Sequence, residues 1–231
     1  MIKKQLHFRL PAHRIKEGSS SRTFASVGQE QPESDAEIWQ AFKDGDTQAL
    51  EYIYSEYVNK MYNYGCQLTT HEALVSDCIQ ALFTEMIRKR QQLGDTSSIK
   101  FYLFKALRRK LMRALKRELK QVSFSDLVRS EGFNVQNDTE AKFIQQEFSD
   151  QQKSIIANEC NKLPAKQKEA LLLYFYEGLS YQEIAETLGM TRTKSARALI
   201  YRAIHSLSNQ LQHYKEVLYP FWPLLLASQL L

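Results

Sequence analysis

GLSYQEIAETLGM (178–190), continued by TRTKSARALIYRAIHSL (191–207), reads as a helix-turn-helix with a basic second helix. Ser180 and Glu183 form an S-x-x-E capping box, in which hydroxyl and carboxylate satisfy backbone N–H groups orphaned at a helix start. A helix is therefore expected from Tyr181, with Ile184, Ala185 and Leu188 on one face. Gly189 is the residue best able to take the left-handed conformation that ends it. After a sharp turn, Ala196, Leu199, Ile200, Ala203, Ile204 and Leu207 recur at three- and four-residue steps, the stripe of a second helix. At about 100° per residue, Lys194, Ala198, Tyr201 and Arg202 point away from that stripe, with Ser195 and Arg197 at its borders. A helix anchored on a partner and showing Lys, Arg, Ser and Thr outward suits the major groove of DNA. An ordinary helical hairpin with a solvated basic face is the alternative.

Charge is spread unevenly along the 231 residues, although the net value is only +5. Residues 35–85 carry nine acids against Lys43 and Lys60, whereas residues 86–120 carry twelve Lys or Arg against Asp95 and Glu118. Such alternation provides faces for different partners. The basic maximum lies in YLFKALRRKLMRALKRELK (102–120). There Leu103, Leu107, Leu111, Leu115 and Leu119 repeat every four residues, while Lys105, Arg109, Arg113, Lys116 and Lys120 fall within about 80° on the far side. Pairing with phosphate would relieve their mutual repulsion. Phe101, Tyr102 and Phe104 precede this face and are read either as core or as platforms for unpaired bases.

Periodicity predicts an all-α protein of two small helical domains joined by a flexible linker, with the helix-turn-helix in the second. The expected divisions are a mobile tail (1–34), a first domain (35–120), a linker (121–155), a second domain (156–212) and an apolar extension (213–231). In the first domain, Ile38, Trp39 and Phe42 suggest a short helix ending near Gly45, and Asp46 can cap the next. Leu50, Ile53, Tyr54, Tyr57, Val58 and Met61 sustain that second helix for about three turns. Thr69 and Glu72 form a second S/T-x-x-E box, opening a helix that buries Leu74, Val75, Cys78, Ile79, Leu82, Phe83 and Met86. Asp77, Gln80, Ala81, Thr84 and Arg88 lie opposite. Gln91–Lys100 reads as a polar loop. Beyond the linker, Leu163-Pro164 starts a helix that carries Ala170, Leu171, Leu173, Tyr174 and Phe175 into the helix-turn-helix.

Both halves resemble a bacterial RNA polymerase sigma factor of the sigma-70 family, extracytoplasmic-function type. HEALVSDCIQALFTEM (71–86) resembles the helix those proteins dock on the largest subunit of core polymerase, with Asp77, Gln80 and Phe83 matching D-x-x-Q-x-x-F. FYLFKALRRKLMRALKR (101–117) resembles the helix that engages the melted downstream promoter element, with Arg109 where the family often has Asn. LPAKQKEALLLYFYEGLSYQEIAETLGM (163–190) resembles the start of the fourth conserved region, and LIYRAI (199–204) its recognition helix, after a turn one residue longer than usual. The resemblance implies a factor that binds core polymerase through Asp77, Gln80, Thr84 and Arg88. It implies downstream promoter contacts from Lys100, Phe101, Lys105, Arg109, Arg113 and Lys116. Upstream contacts would come from Thr191, Arg192, Thr193, Lys194, Ser195, Arg197, Tyr201 and Arg202. Core polymerase and promoter DNA are the implied partners, and an anti-sigma protein is a further candidate. A dimeric helix-turn-helix regulator binding an operator is the competing reading; it would not need the polymerase-docking helix.

Other chemistry finds little support. Cys66, Cys78 and Cys160 are odd in number, distant and without a C-x-x-C pair, which argues against a disulfide framework or a zinc site and for a reducing cytoplasm. The five histidines show no ligand spacing. No nucleophile constellation or phosphate-cradling glycine loop is recognisable, so no catalysis, cofactor, metal or small-molecule substrate is expected. The amino terminus lacks the apolar run of a signal peptide. VLYPFWPLLLASQLL (217–231) is uncharged and too short and proline-broken for a comfortable membrane span. Packing on the second domain is the favoured reading, with a partner-binding or autoinhibitory peptide and membrane contact as alternatives.

Overall fold

The computed structural model describes residues 34–121 and 150–214. These form eight α-helices: α1 (Asp35–Asp44), α2 (Thr47–Leu68), α3 (Glu72–Lys89), α4 (Ile99–Gln121), α5 (Asp150–Asn161), α6 (Ala165–Phe175), α7 (Tyr181–Thr187) and α8 (Thr193–Leu211). Two short 3-10 turns follow α3 and α8, and no strand occurs among the described residues. The protein is all-α, as its periodicity indicates. The amino-terminal tail, most of the expected linker and residues 215–231 lie outside the described residues; α4 and α5 take the two ends of the 121–155 segment.

Local chemistry sets the helix ends. Ser34 and Glu37 form a reciprocal capping box at α1, and Gly45, at φ +100°, closes it in the left-handed region. The Asp46 carboxylate accepts from Gln48 N and starts α2. At 22 residues α2 runs far beyond three turns, because Tyr57, Met61, Tyr64 and Leu68 continue one buried stripe to its end. The expected Thr69–Glu72 box does not form. Thr69 closes α2 instead, its hydroxyl accepts from His71 N, and α3 starts without a side-chain cap.

Helices α1–α4 form the first half. Trp39 is almost wholly buried, its indole N–H donates to the Gly94 carbonyl at 2.9 Å, and its ring lies 4.7 Å from that of Tyr102. The Asp35 carboxylate accepts from Ile99 N at 2.8 Å. Thus α1 fixes both the loop into α4 and the first turn of α4, and Lys43 pairs with Asp95 in that loop. Leu103, Phe104, Leu107 and Leu111 are fully buried, each leucine contributing about 1.5–3 kcal/mol of apolar burial.

Helices α5–α8 form the second half. Here Leu163, Ala170, Leu173, Ile184, Ala196, Ile200 and Ala203 are buried. Phe175, the last residue of α6, is 59% exposed. The two helical domains touch. One buried apolar cluster runs through both, and α4 packs on α7.

Candidate nucleic-acid interface

The α7–turn–α8 unit is the helix-turn-helix. Ser180 N donates to Glu183 Oε2 at 2.8 Å while Ser180 Oγ accepts from Glu183 N, so the capping box is complete. Gly189 lies at φ +69°, just past the end of α7. Arg192 takes the cap position of α8 in extended conformation, and Ala196 is the first buried residue of that helix. Thr191, Arg192, Thr193, Lys194, Ser195, Arg197 and Arg202 are exposed. Tyr201 is half-buried. Its hydroxyl accepts from Arg197 Nη2 at 3.2 Å, a contact that favours the phenolate and lowers the Tyr201 pKa. The Arg197 guanidinium lies 5.3 Å from the Tyr201 ring and 6.0 Å from the Tyr181 ring. Tyr181 in turn stacks on Tyr174 at 5.0 Å. Arg197 is therefore oriented by aromatic faces that suit a planar guanidinium better than an ammonium.

On α4 the six expected downstream residues divide. Arg109, Arg113 and Lys116 are exposed. Lys100, Phe101 and Lys105 are half-buried along the seam between the halves. Lys100 Nζ donates to the Glu177 carbonyl at 2.9 Å, and Lys105 Nζ pairs with Glu186 Oε2 at 2.7 Å while lying over the Phe101 ring. Phe104 is core, packed 5.0 Å from Tyr64, and Tyr102 is committed to Trp39. Phe101, half-buried beneath Lys105, is the one of the three aromatics placed neither in the core nor against Trp39.

The outer face of α3 shows Asp77, Gln80, Ala81, Thr84 and Arg88 to solvent; together with Glu85 they line a shallow depression. Phe83, the last residue of D-x-x-Q-x-x-F, is buried edge-on to Tyr54 in the core of the first half. Glu85 bonds to Lys89 and Lys110, each at 2.9 Å, and these two ammonium groups hold its carboxyl down at about 2. Lys110 thereby ties α4 to α3.

Sequence reasoning missed Tyr64, Arg108 and Glu169, which meet between the halves. Glu169 is 4% exposed. Its Oε1 accepts from Tyr64 Oη at 2.7 Å and from Arg108 Nε at 2.6 Å, and its Oε2 accepts from Arg108 Nη2 at 3.2 Å. Burial opposes the charge on Arg108, yet the Glu169 carboxylate outweighs it and raises the guanidinium pKa. Burial, reinforced by the same carboxylate, pushes the Tyr64 phenol well above its ordinary value. A signal was present: Glu169 stands one turn before Leu173, on the stripe that α6 buries. Cys66 and Cys78 are buried free thiols and Cys160 is half-buried; no metal-ligand cluster occurs among the described residues.

Residues 155–207 match the family described as sigma-70, region 4. Over 154 residues the chain is 25% identical to the ECF RNA polymerase sigma factor SigM of Bacillus subtilis (strain 168), spanning 67% of this chain and 90% of that protein. It is 26% identical over 171 residues to RNA polymerase sigma factor YlaC of the same organism, spanning 73% and 95%. The fold is shared with the sigma factor RpoE of Bartonella quintana, solved with the anti-sigma factor NepR. That match has a TM-score of 0.55 at 20% identity and covers 72% of this chain and 98% of that one. It is shared also with CnrH, solved with the cytosolic domain of CnrY, at a TM-score of 0.51 and 18% identity over 78% and 99%. Similarity to sigma factors thus extends over two thirds or more of the chain, and the family match itself covers residues 155–207. Both of these relatives are RNA polymerase sigma factors, and SigM is of the ECF type.

Proposed function

We propose that this chain is a sigma factor that binds core RNA polymerase through the α3 face and reads a promoter with two separate cationic surfaces. The observation that carries this reading is the pairing of two such surfaces, α4 and α8, with an uncommitted polar face on α3. Arg192, Lys194, Arg197 and Arg202 on α8, with Thr191, Thr193, Ser195 and Tyr201 beside them, contact the upstream element in its major groove. Arg109, Arg113 and Lys116 hold the downstream phosphates, joined by Lys100 and Lys105, while Phe101 receives an unstacked base. Joining both readers in one chain raises their effective concentration on promoter DNA. Phosphodiester chemistry belongs to the polymerase. An anti-sigma protein is a further partner, and the cytoplasm is the compartment where all of these meet. No described helix is long and apolar enough to cross a membrane.

Transcription with purified core polymerase tests the reading. Wild-type protein is expected to bind core and direct initiation from a fragment of its own genome, which an operator-binding dimer would not do. Asp77→Ala with Gln80→Ala should weaken core binding about tenfold or more, as loss of interface anchors does, with far-UV circular dichroism unchanged. Unaltered core affinity in that double variant would remove α3 from the interface.

A further inference from the structure

Four residues of the second half meet from three helices: Tyr174 on α6, Tyr181 at the start of α7, and Arg197 and Tyr201 one turn apart on α8. The Tyr181 ring stacks on that of Tyr174, 12° from parallel, and Tyr181 Oη donates to Tyr174 Oη at 3.3 Å. Both rings are half-buried and packed on the core, so the face offered to Arg197 is fixed by the fold. Arg197 itself is exposed and stands near the amino-terminal end of α8, the part of a recognition helix that reaches base edges. Arg202 is held differently, its Nε donating to the Ala198 carbonyl of the same helix at 3.2 Å.

From this arrangement we infer that Tyr181 and Tyr201 are positioning residues, which hold the Arg197 guanidinium so that it reads a single guanine of the upstream element through paired hydrogen bonds. The inference rests on the proposed role of α8. A guanidinium carries five N–H donors in a fixed fork. Tyr201 Oη takes one of them, from Nη2, and the remaining donors suffice for guanine O6 and N7 together. The rings of Tyr201 and Tyr181, 5.3 and 6.0 Å from the guanidinium, restrict where the fork can lie. An unsupported arginine loses rotamer freedom when it binds, whereas one already ordered loses less. A base that does not match the ordered fork gains nothing from that order. Positioning therefore acts on discrimination as well as on affinity. A phosphate contact makes no such demand, since it fixes register without reading sequence.

The test uses the full chain assembled with core polymerase and a promoter duplex on which it initiates, each base pair of the upstream element being replaced in turn. Wild type is expected to prefer guanine at one position by about tenfold, as a bidentate contact confers. Arg197→Ala should abolish that preference and leave the other positions as they were. Tyr181→Leu keeps apolar bulk but removes the ring. It should reduce the same preference several-fold, with no further effect once Arg197 is replaced by Ala. Tyr181→Phe keeps the aromatic face and should keep the preference. If Tyr181→Leu loses helicity, Tyr201→Phe carries the test: with one hydroxyl gone, it should weaken the preference at that position alone, and only while Arg197 is present. A folded Tyr181→Leu with the wild-type profile would overturn the inference. So would equal weakening of all duplexes by Arg197→Ala, which would make Arg197 a phosphate ligand. Wild-type protein that initiates without preference at any upstream position would instead defeat the upstream reading of α8, and the positioning with it.

Discussion

Gly65 stands in α2 where that helix passes closest to α3. A Cβ built there would lie 2.4 Å from Val75 Cγ1, with the other atoms of the Val75 side chain close behind. Val75 is fully buried and β-branched, so it has little freedom to withdraw. Gly65→Ala is therefore expected to destabilise the protein by about 1–3 kcal/mol through overpacking, although alanine is the better helix former. Thermal unfolding measures this, and an unchanged or raised midpoint would show that the two helices separate easily. The same residue explains a misreading. MYNYGCQL (61–68) has weak helical propensity around its glycine, yet Tyr64 and Leu68 continue the buried stripe through it. Packing overrides propensity there, and the helix runs on to Leu68.

At the scale of elements, the seating of α4 on α3 depends on Glu85. Its carboxylate is held by Lys89 on its own helix and by Lys110 on α4. The two ammonium groups favour the charged form in the folded state, so its folded pKa lies near 2, below the ordinary 4.5. The stabilisation is complete above 4.5 and is lost as pH falls towards about 2. Glu85→Gln should consequently lower the thermal midpoint at neutral pH, with the gap from wild type narrowing through that acid window. A gap that stays constant would assign Glu85 to packing alone. Helix starts show why some elements were legible and others were not. Ser180 and Glu183 form their box because Tyr181 begins a helix from extended chain. Thr69 and Glu72 satisfy the same pattern, but Thr69 already caps the end of α2, and its hydroxyl is occupied by His71 N.

For the whole molecule, residues near in sequence carried the reading, and residues distant in sequence escaped it. The helix-turn-helix, the exposed face of α3 and the Leu103–Leu107–Leu111 stripe all follow from spacings of a few residues. The seam does not: Arg108 and Glu169 are 61 residues apart and Tyr64 and Glu169 are 105. Nothing in local periodicity couples such positions, and a lone arginine on a basic helix looks like one more phosphate ligand. Lys100 and Lys105 were likewise legible as cations but not as the groups that meet Glu177 and Glu186. Division of the six downstream residues into an open set and a seam set is visible only once α4 and α7 are packed.

Trp39 offers an optical view of that arrangement. The chain has two tryptophans, at 39 and 222, so Trp222→Phe leaves Trp39 as the sole indole emitter. Sealed from water, bonded to the Gly94 carbonyl and packed on Tyr102, it should fluoresce at short wavelength. Binding an oligonucleotide that draws on Phe101, next in the chain to Tyr102, is expected to alter the intensity of this emission, whereas acid or denaturant should redden it. An emission unmoved by nucleic acid would mean that the first turn of α4 stays still when the oligonucleotide binds.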